Sequence, residues 1–254
     1  MTAWQIAAFL ACVAVASAAQ GLTGFAQALI LLGLVGLFDL APLPDVANVA
    51  TVLSLASAVV ALRGPHKAVD WAALRATAVG TLIGVPSGVA LLAWLDANVV
   101  MALRLLLGLV VIACAVIVLR RAAPLAQRSS RASFGAICVL SGLLGGLFSA
   151  SGPPLVWQFY RQPLALEAVR DTLVATLAAG ALLRLVMVAG SGRFGSRSLA
   201  LGAMAVPLSM AITWWMRARP PAWSRATVLK LVCALLIATG LGLVLPAAHA
   251  LLSS

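Results

Sequence analysis

Residues 20–25 read QGLTGF and residues 141–146 read SGLLGG. They are one motif displaced by 121 positions, with Gly21, Leu22 and Gly24 meeting Gly142, Leu143 and Gly145. The register continues outward without a gap. Phe38, Pro42 and Leu43 meet Phe159, Pro163 and Leu164, Thr51 meets Thr172, Arg63 meets Arg184, Val85 and Pro86 meet Val206 and Pro207, and Trp94 meets Trp215. Leucine and alanine coincide by chance in an apolar chain; glycine, proline, arginine and tryptophan in one register do not. The chain therefore reads as a tandem duplication: repeat 1 over residues 4–119, a basic linker over 120–131 and repeat 2 over 132–245, all within one membrane domain spanning 1–254.

The composition says where such a duplication resides. With 63% hydrophobic residues, 9% charged residues and a mean hydropathy of +1.12, the chain cannot cover itself with a water-facing surface. Apolar runs at 46–62, 76–95, 99–119, 172–183, 199–215 and 226–245 approach the roughly 20 residues of a spanning helix. None alternates polar and apolar positions as barrel strands do. The expected fold is an all-α polytopic membrane protein of eight to ten hydrophobic helices, with broken or re-entrant helices at the glycine-rich motifs. The net charge of +11 lies mostly in short loops, where it orients the chain in a bilayer rather than binding nucleic acid. Met1–Gln20 ends in VASAAQ, which resembles a cleavage site, but it has no basic leading region and runs directly into the first motif, so it is expected to be retained.

Residues 4–38 are too long for one ordinary span. If they form two helices or a re-entrant hairpin, each repeat crosses an odd number of times and the repeats are inverted. If they cross once, the repeats are parallel. Length favours inversion, whereas loop charge leaves both open, because the loops at Arg184–Arg197 and Arg217–Arg225 are both basic.

The most specific local feature is Ser141–Pro154, SGLLGGLFSASGPP. Adjacent prolines cannot continue a preceding helix, and Pro153 pushes Gly152 away from helical geometry. A helix broken in hydrocarbon exposes backbone groups at several kcal/mol each, tolerated only beside protein or a wet cavity. The matching break in repeat 1 is read at Gly21–Gly24, flanked by Gln20, Thr23 and Gln27. A helix restarting after a break presents free amides and the positive end of its dipole, which suits an anion. Gln20, Gly21, Thr23, Gly24 and Gln27 on one side, with Ser149, Ser151, Gly152, Pro153, Pro154 and Gln158 on the other, are the candidate binding residues. The competing reading is that the glycines only let helices approach closely.

Asn48, Thr51 and Thr172 are polar positions on the helices after the breaks and join that candidate set. Arg170 and Asp171 stand early in an apolar helix whose counterpart carries Val49 and Ala50. One reading makes Arg170 an anion clamp, with Asp171 or Glu167 as partner or proton carrier; the other leaves all three at the interface, Glu167 paired with Arg170 one turn away. Arg184, matching Arg63 at the end of a span, is expected to snorkel, and Arg104 and Lys230 to sit at the interface. The four cysteines and two histidines show no ligand spacing, so neither metal nor cofactor is expected.

The run Gln20–Gln27 followed by paired spans, the Gly142–Pro154 stretch and Arg170–Asp171–Thr172–Leu173 together resemble the sulfite exporter family TauE/SafE over essentially the whole chain. That family often carries a small residue in place of Asp171. The resemblance implies a multi-pass protein of the bacterial inner membrane that moves sulfite, sulfonates and related anions. From the residues and the resemblance, the expected function is a secondary carrier exporting a small sulfur-containing or organic anion through a site between the repeats, with a homodimer as an open possibility. A channel or a helper subunit is the alternative and an intramembrane enzyme a remote one, since the spans hold no histidine and no Walker motif is present.

Overall fold

The computed structural model describes residues 2–23, 25–61, 69–98, 100–119, 125, 127, 129–219 and 225–252. Among these residues there are ten α-helices and no strand: α1 (Ala3–Thr23), α2 (Gln27–Leu37), α3 (Leu43–Ala61), α4 (Trp71–Asn98), α5 (Val100–Leu119), α6 (Arg131–Phe148), α7 (Gly152–Tyr160), α8 (Leu166–Gly190), α9 (Ser196–Ala218) and α10 (Arg225–Leu252). Six segments are long and apolar enough to cross a membrane, at residues 3–21, 43–60, 71–95, 171–190, 196–216 and 230–248. Large apolar side chains on their outer faces, such as Trp71, Val79, Leu82, Val186 and Trp214, are exposed, as a lipid-facing surface requires. Pro86, Pro207 and Pro246 lie inside α4, α9 and α10.

Two long helices are each followed by a short one that turns back. α2 returns along α1, since the Gln27 side chain bonds Ser17 while Gly36 lies across the same cleft as Gln5. It is the innermost element, with Gln27 to Gly33 buried without exception. In the same way α7 returns along α6: Ser141 donates to the Ser151 carbonyl, and Phe134 meets Phe159 edge-on at 5.5 Å.

Helix directions follow from the contacts. A β-carbon built on Gly80, Gly84 or Gly88 of α4 would overlap Cys138, Val139 or Leu143 of α6, and successive contacts advance together, so α4 and α6 run parallel. α1 and α9 are also parallel, with Ser17 bonded to Ser209 and Gly21 against Met216. α3 and α8 are antiparallel, because the late residue Arg184 reaches the early residues Ala47–Thr51.

The breaks are narrower than the motifs. α6 continues through Gly142, Gly145 and Gly146 and ends only at Phe148, where Ser149 adopts φ 55 and returns its N–H to Gly145 O. Gly142 and Gly146 thus serve close packing with α4, in favour of the small-residue reading at those positions. In the first half α1 runs through Gln20, Gly21 and Thr23, so the described part of the interruption falls at Phe25 and Ala26 rather than at Gly21. Gly21 is helical because Met216 of α9 packs where its side chain would be.

Candidate functional site

Arg184 does not snorkel. It is 1% exposed and turned into the bundle from the second half of α8. Its Nε donates to Gly146 O at 2.9 Å, and Nη1 donates to Thr51 Oγ1 at 2.6 Å, Asn48 Oδ1 at 3.1 Å and Ala47 O at 3.2 Å. The break in α6 makes this possible. Gly146 lies in the last turn, and the N–H of Ala150, four residues on, goes to Leu144 O instead, freeing the Gly146 carbonyl for the guanidinium. A single departure from helical backbone at Ser149 therefore creates an acceptor for a cation on another helix.

The remaining polar groups extend from this centre. Thr51 also donates to Ser149 Oγ at 3.1 Å, which brings the left-handed residue of the break against α3. Asn48 donates through Nδ2 to Arg193 O at 3.2 Å and to Ser198 Oγ at 3.4 Å, and Ser198 donates to Asp45 Oδ1 at 2.6 Å.

Among the described residues every acceptor bonded to Arg184 is neutral, and its Nη2 is buried with no partner. An arginine within a spanning helix costs up to roughly 2.5–3.5 kcal/mol on insertion scales, the upper figure being that at the helix centre, and a buried charge is normally met by an opposite one. Neutral acceptors satisfy directional bonds but not the net charge. Gln158 of α7 is also buried with an unpartnered Nε2. Surplus donors in a low-dielectric interior can hold an anion of matching shape.

The other interruption is built differently. Gln27, fully buried at the start of α2, donates through Nε2 to Ser17 Oγ at 3.0 Å and Ser209 Oγ at 2.8 Å; Ser17 donates to Ser209 at 3.0 Å, and Ser57 donates to Gln27 Oε1 at 3.5 Å. This cluster links α1, α2, α3 and α9 with no formal charge. The two interruptions touch, since a β-carbon on Gly152 would lie 2.8 Å from Cβ of Phe25. The helix start at α7 is poorer in donors than its dipole implies, because Pro153 and Pro154 in its first turn have no N–H. The start of α2 holds no proline, and its first residues, Gln27, Ala28 and Leu29, are buried.

The sequence-derived residues separate accordingly. Asn48, Thr51 and Ser149 converge on Arg184, and Gln27 belongs to the neutral cluster. Ser151, Gly152, Pro153 and Pro154 form the start of α7, whereas Gln158 lies in its last turn, its carbonyl accepting from Gln162. Thr172 is drawn elsewhere: its hydroxyl accepts from the Asp70 N–H at 2.9 Å, while Thr176 bonds Thr172 O and approaches Thr77. Gln20 and Asp171 are half-buried. Gly24, Arg63 and the side chains of Thr23, Glu167 and Arg170 lie outside the described residues. Among the described residues no group of His, Cys, Asp or Glu could hold a metal ion, and the four cysteines are free and buried. Arg104 is held by Asp39 at the edge of the bundle.

Arg184, Ser17, Ser57, Ser198 and Ser209 were missed from sequence. For Arg184 the signal was present: the span runs on to Gly190, so the arginine lies about 9 Å of helix from the end rather than at it. An ionisable residue at such depth is a functional candidate by default. The serines carry no comparable signal.

Comparison with known proteins agrees with this architecture. A curated relative from Cupriavidus necator, described as "Probable sulfite/organosulfonate exporter TauE", is 35% identical over 231 residues, covering 91% of this chain and 90% of the relative. No solved structure matches. The sequence model of the family described as "Sulfite exporter TauE/SafE" matches residues 9–243, and the chain belongs to that family.

Proposed function

We propose that this protein is a secondary carrier that exports a small sulfur-containing anion, sulfite or an organosulfonate, across a bacterial inner membrane, and that the anion binds between the two halves at Arg184. The observation that carries the reading is the buried, uncompensated guanidinium with a free Nη2 beside a helix interruption. The relative's description supplies the substrate class. Asn48, Thr51 and Ser149 position the cation. An inside-negative potential drives each negative charge outward by about 2.3 kcal/mol per 100 mV, so export needs no coupled ion.

Packing supports inverted repeats. Exchanging α1–α5 for α6–α10 turns the α4/α6 contact into α9/α1 and the α4/α8 contact into α9/α3, and all four contacts are made. α1 follows α9 and α6 follows α4, while Ser198 at the start of α9 meets the start of α3, and Asp70 ahead of α4 meets the start of α8. Since α3 and α8 are antiparallel, α4 and α9 are too, and so are α1 and α6. The ends of α3, α5 and α9 and the starts of α4, α6, α8 and α10 then share one face, assigned to the cytoplasm because the sequence joining them is rich in Lys and Arg, and Arg104, Arg193 and Arg197 lie toward the opposite one.

The test is flux of sulfite, organosulfonates, thiosulfate, sulfate and carboxylates by purified protein in liposomes. Saturable counterflow of sulfite or a sulfonate is expected, and must vanish in Arg184→Gln. Counterflow that survives this change, or no flux of any sulfur anion, would reject the proposal. Labelling of single cysteines placed at Ser129 and Ser191 in intact cells should reach only the second.

A further inference from the structure

We propose a second oxyanion site in series with the first, in the cleft where α1, α3, α5 and α9 begin. The cleft has a volume of about 390 Å³, and its polar lining is Gln5, Asp39, Arg104 and Arg197, completed by the 40–43 backbone. Two arginines against one carboxylate give the lining a net positive charge; Asp45, in the first turn of α3, lies outside the lining and accepts from Ser198.

The carboxylate is bound in a way that permits competition. Asp39 pairs with Arg104 near the surface, where the two side chains are 72% and 32% exposed, so the bridge is a weak one. Asp39 is also held at φ 48. Among the described non-glycine residues only Ser149, at the inner site, shares a positive φ. Residues held in this region cost of order 1–3 kcal/mol and persist where the surroundings impose them. Arg197 lines the same cleft, exposed and with no acidic partner among the described residues. An incoming oxyanion can take the Arg104 donors from Asp39 while Arg197 closes on its other side.

The cleft is connected to the inner site. Ser198, next to Arg197, bonds Asn48, which accepts from Arg184. Leu43 lines the cleft and Thr51 lies two turns further along α3, about 12 Å deeper. A single site deep enough to desolvate an anion holds it too firmly for rapid release, and a second, shallower site lowers that barrier, as adjacent sites do in channels. Asp39 would restore the resting bridge after release. The series arrangement rests on the Arg184 reading; the cleft itself does not.

A free sulfonate and a phospholipid headgroup share the required chemistry, and we assign the free anion. Methanesulfonate is titrated calorimetrically into the full-length protein, purified and delipidated in detergent. Two binding steps are expected in wild type, with the weaker one lost in Arg104→Gln/Arg197→Gln and the tighter one lost in Arg184→Gln. Asp39→Asn, which tolerates the left-handed backbone, should tighten the weaker step about five- to tenfold. Arg197→Gln alone, at an exposed position, should weaken the same step and cannot be dismissed as misfolding. In wild type a single step that responds to Asp39 and Arg197 removes only the inner site, whereas absence of any such step overturns the proposal. So does phosphatidylglycerol that copurifies with wild type but not with the double variant while no methanesulfonate step is seen. Persistence of both steps in Arg184→Gln would instead remove the inner site and leave the cleft intact.

Discussion

The two helix interruptions meet through Phe25 and Gly152, yet they have solved the problem of a broken helix in opposite ways. At Gln27 the amide donors and the serine hydroxyls close on one another, so the cluster is neutral and complete. At Arg184 the acceptors are used up and donors remain, so the cluster is charged and incomplete. Polarity inside a membrane protein therefore does not identify a binding site. An unpartnered charged donor is the sharper guide, and Arg184 Nη2 is such a donor where the Gln27 cluster has none.

That contrast can be broken most severely at Arg184. Replacing it by Gln should lower flux by about 100-fold, near 2.7 kcal/mol in transition-state terms. Replacing it by Met should leave the detergent melting temperature unchanged or higher, because an uncompensated buried charge is removed. If flux survives, or if Met unfolds the protein, the cluster is structural and the distinction collapses. Next in size is Gly88→Val, which overlaps the α6 backbone at Leu143 and should cost about 2 kcal/mol of stability, read as a lower melting temperature with the Km of surviving protein unchanged. Gln27→Ala should cost about 1 kcal/mol, the scale of interhelical hydrogen bonds in membranes, and leave flux per folded molecule within about twofold. A larger flux loss there would make the neutral cluster part of the pathway. Thr51→Val is the finest probe: it removes one of the acceptors on Nη1 and should raise Km about threefold with little change in melting temperature.

The helical membrane class, the positions of most spans and the interruption before Pro153 were legible from composition and punctuation. Periodicity and proline chemistry act locally, so local sequence reports them. The glycine motif misled by a few residues, since Gly21, Gly142 and Gly146 mark where helices touch, and closeness to α9 or α4 is invisible within one helix's sequence. Thr172 shows the same limit from the other side. It matches Thr51 in the repeat register, yet the N–H of Asp70 occupies its hydroxyl while Thr51 meets Arg184.

By itself the chain determined that it would dwell in lipid as helices, and that one helix had to end before Pro153. Which way Arg184 pointed was decided only by folding. Its carbonyl acceptor on α6, its side-chain acceptors on α3 and its own position on α8 are separated by 38 to 137 residues, and no local preference encodes a meeting among them. A guanidinium near the end of a span can reach water or turn inward. It turns inward here because the break at Ser149 leaves a carbonyl unclaimed within its reach.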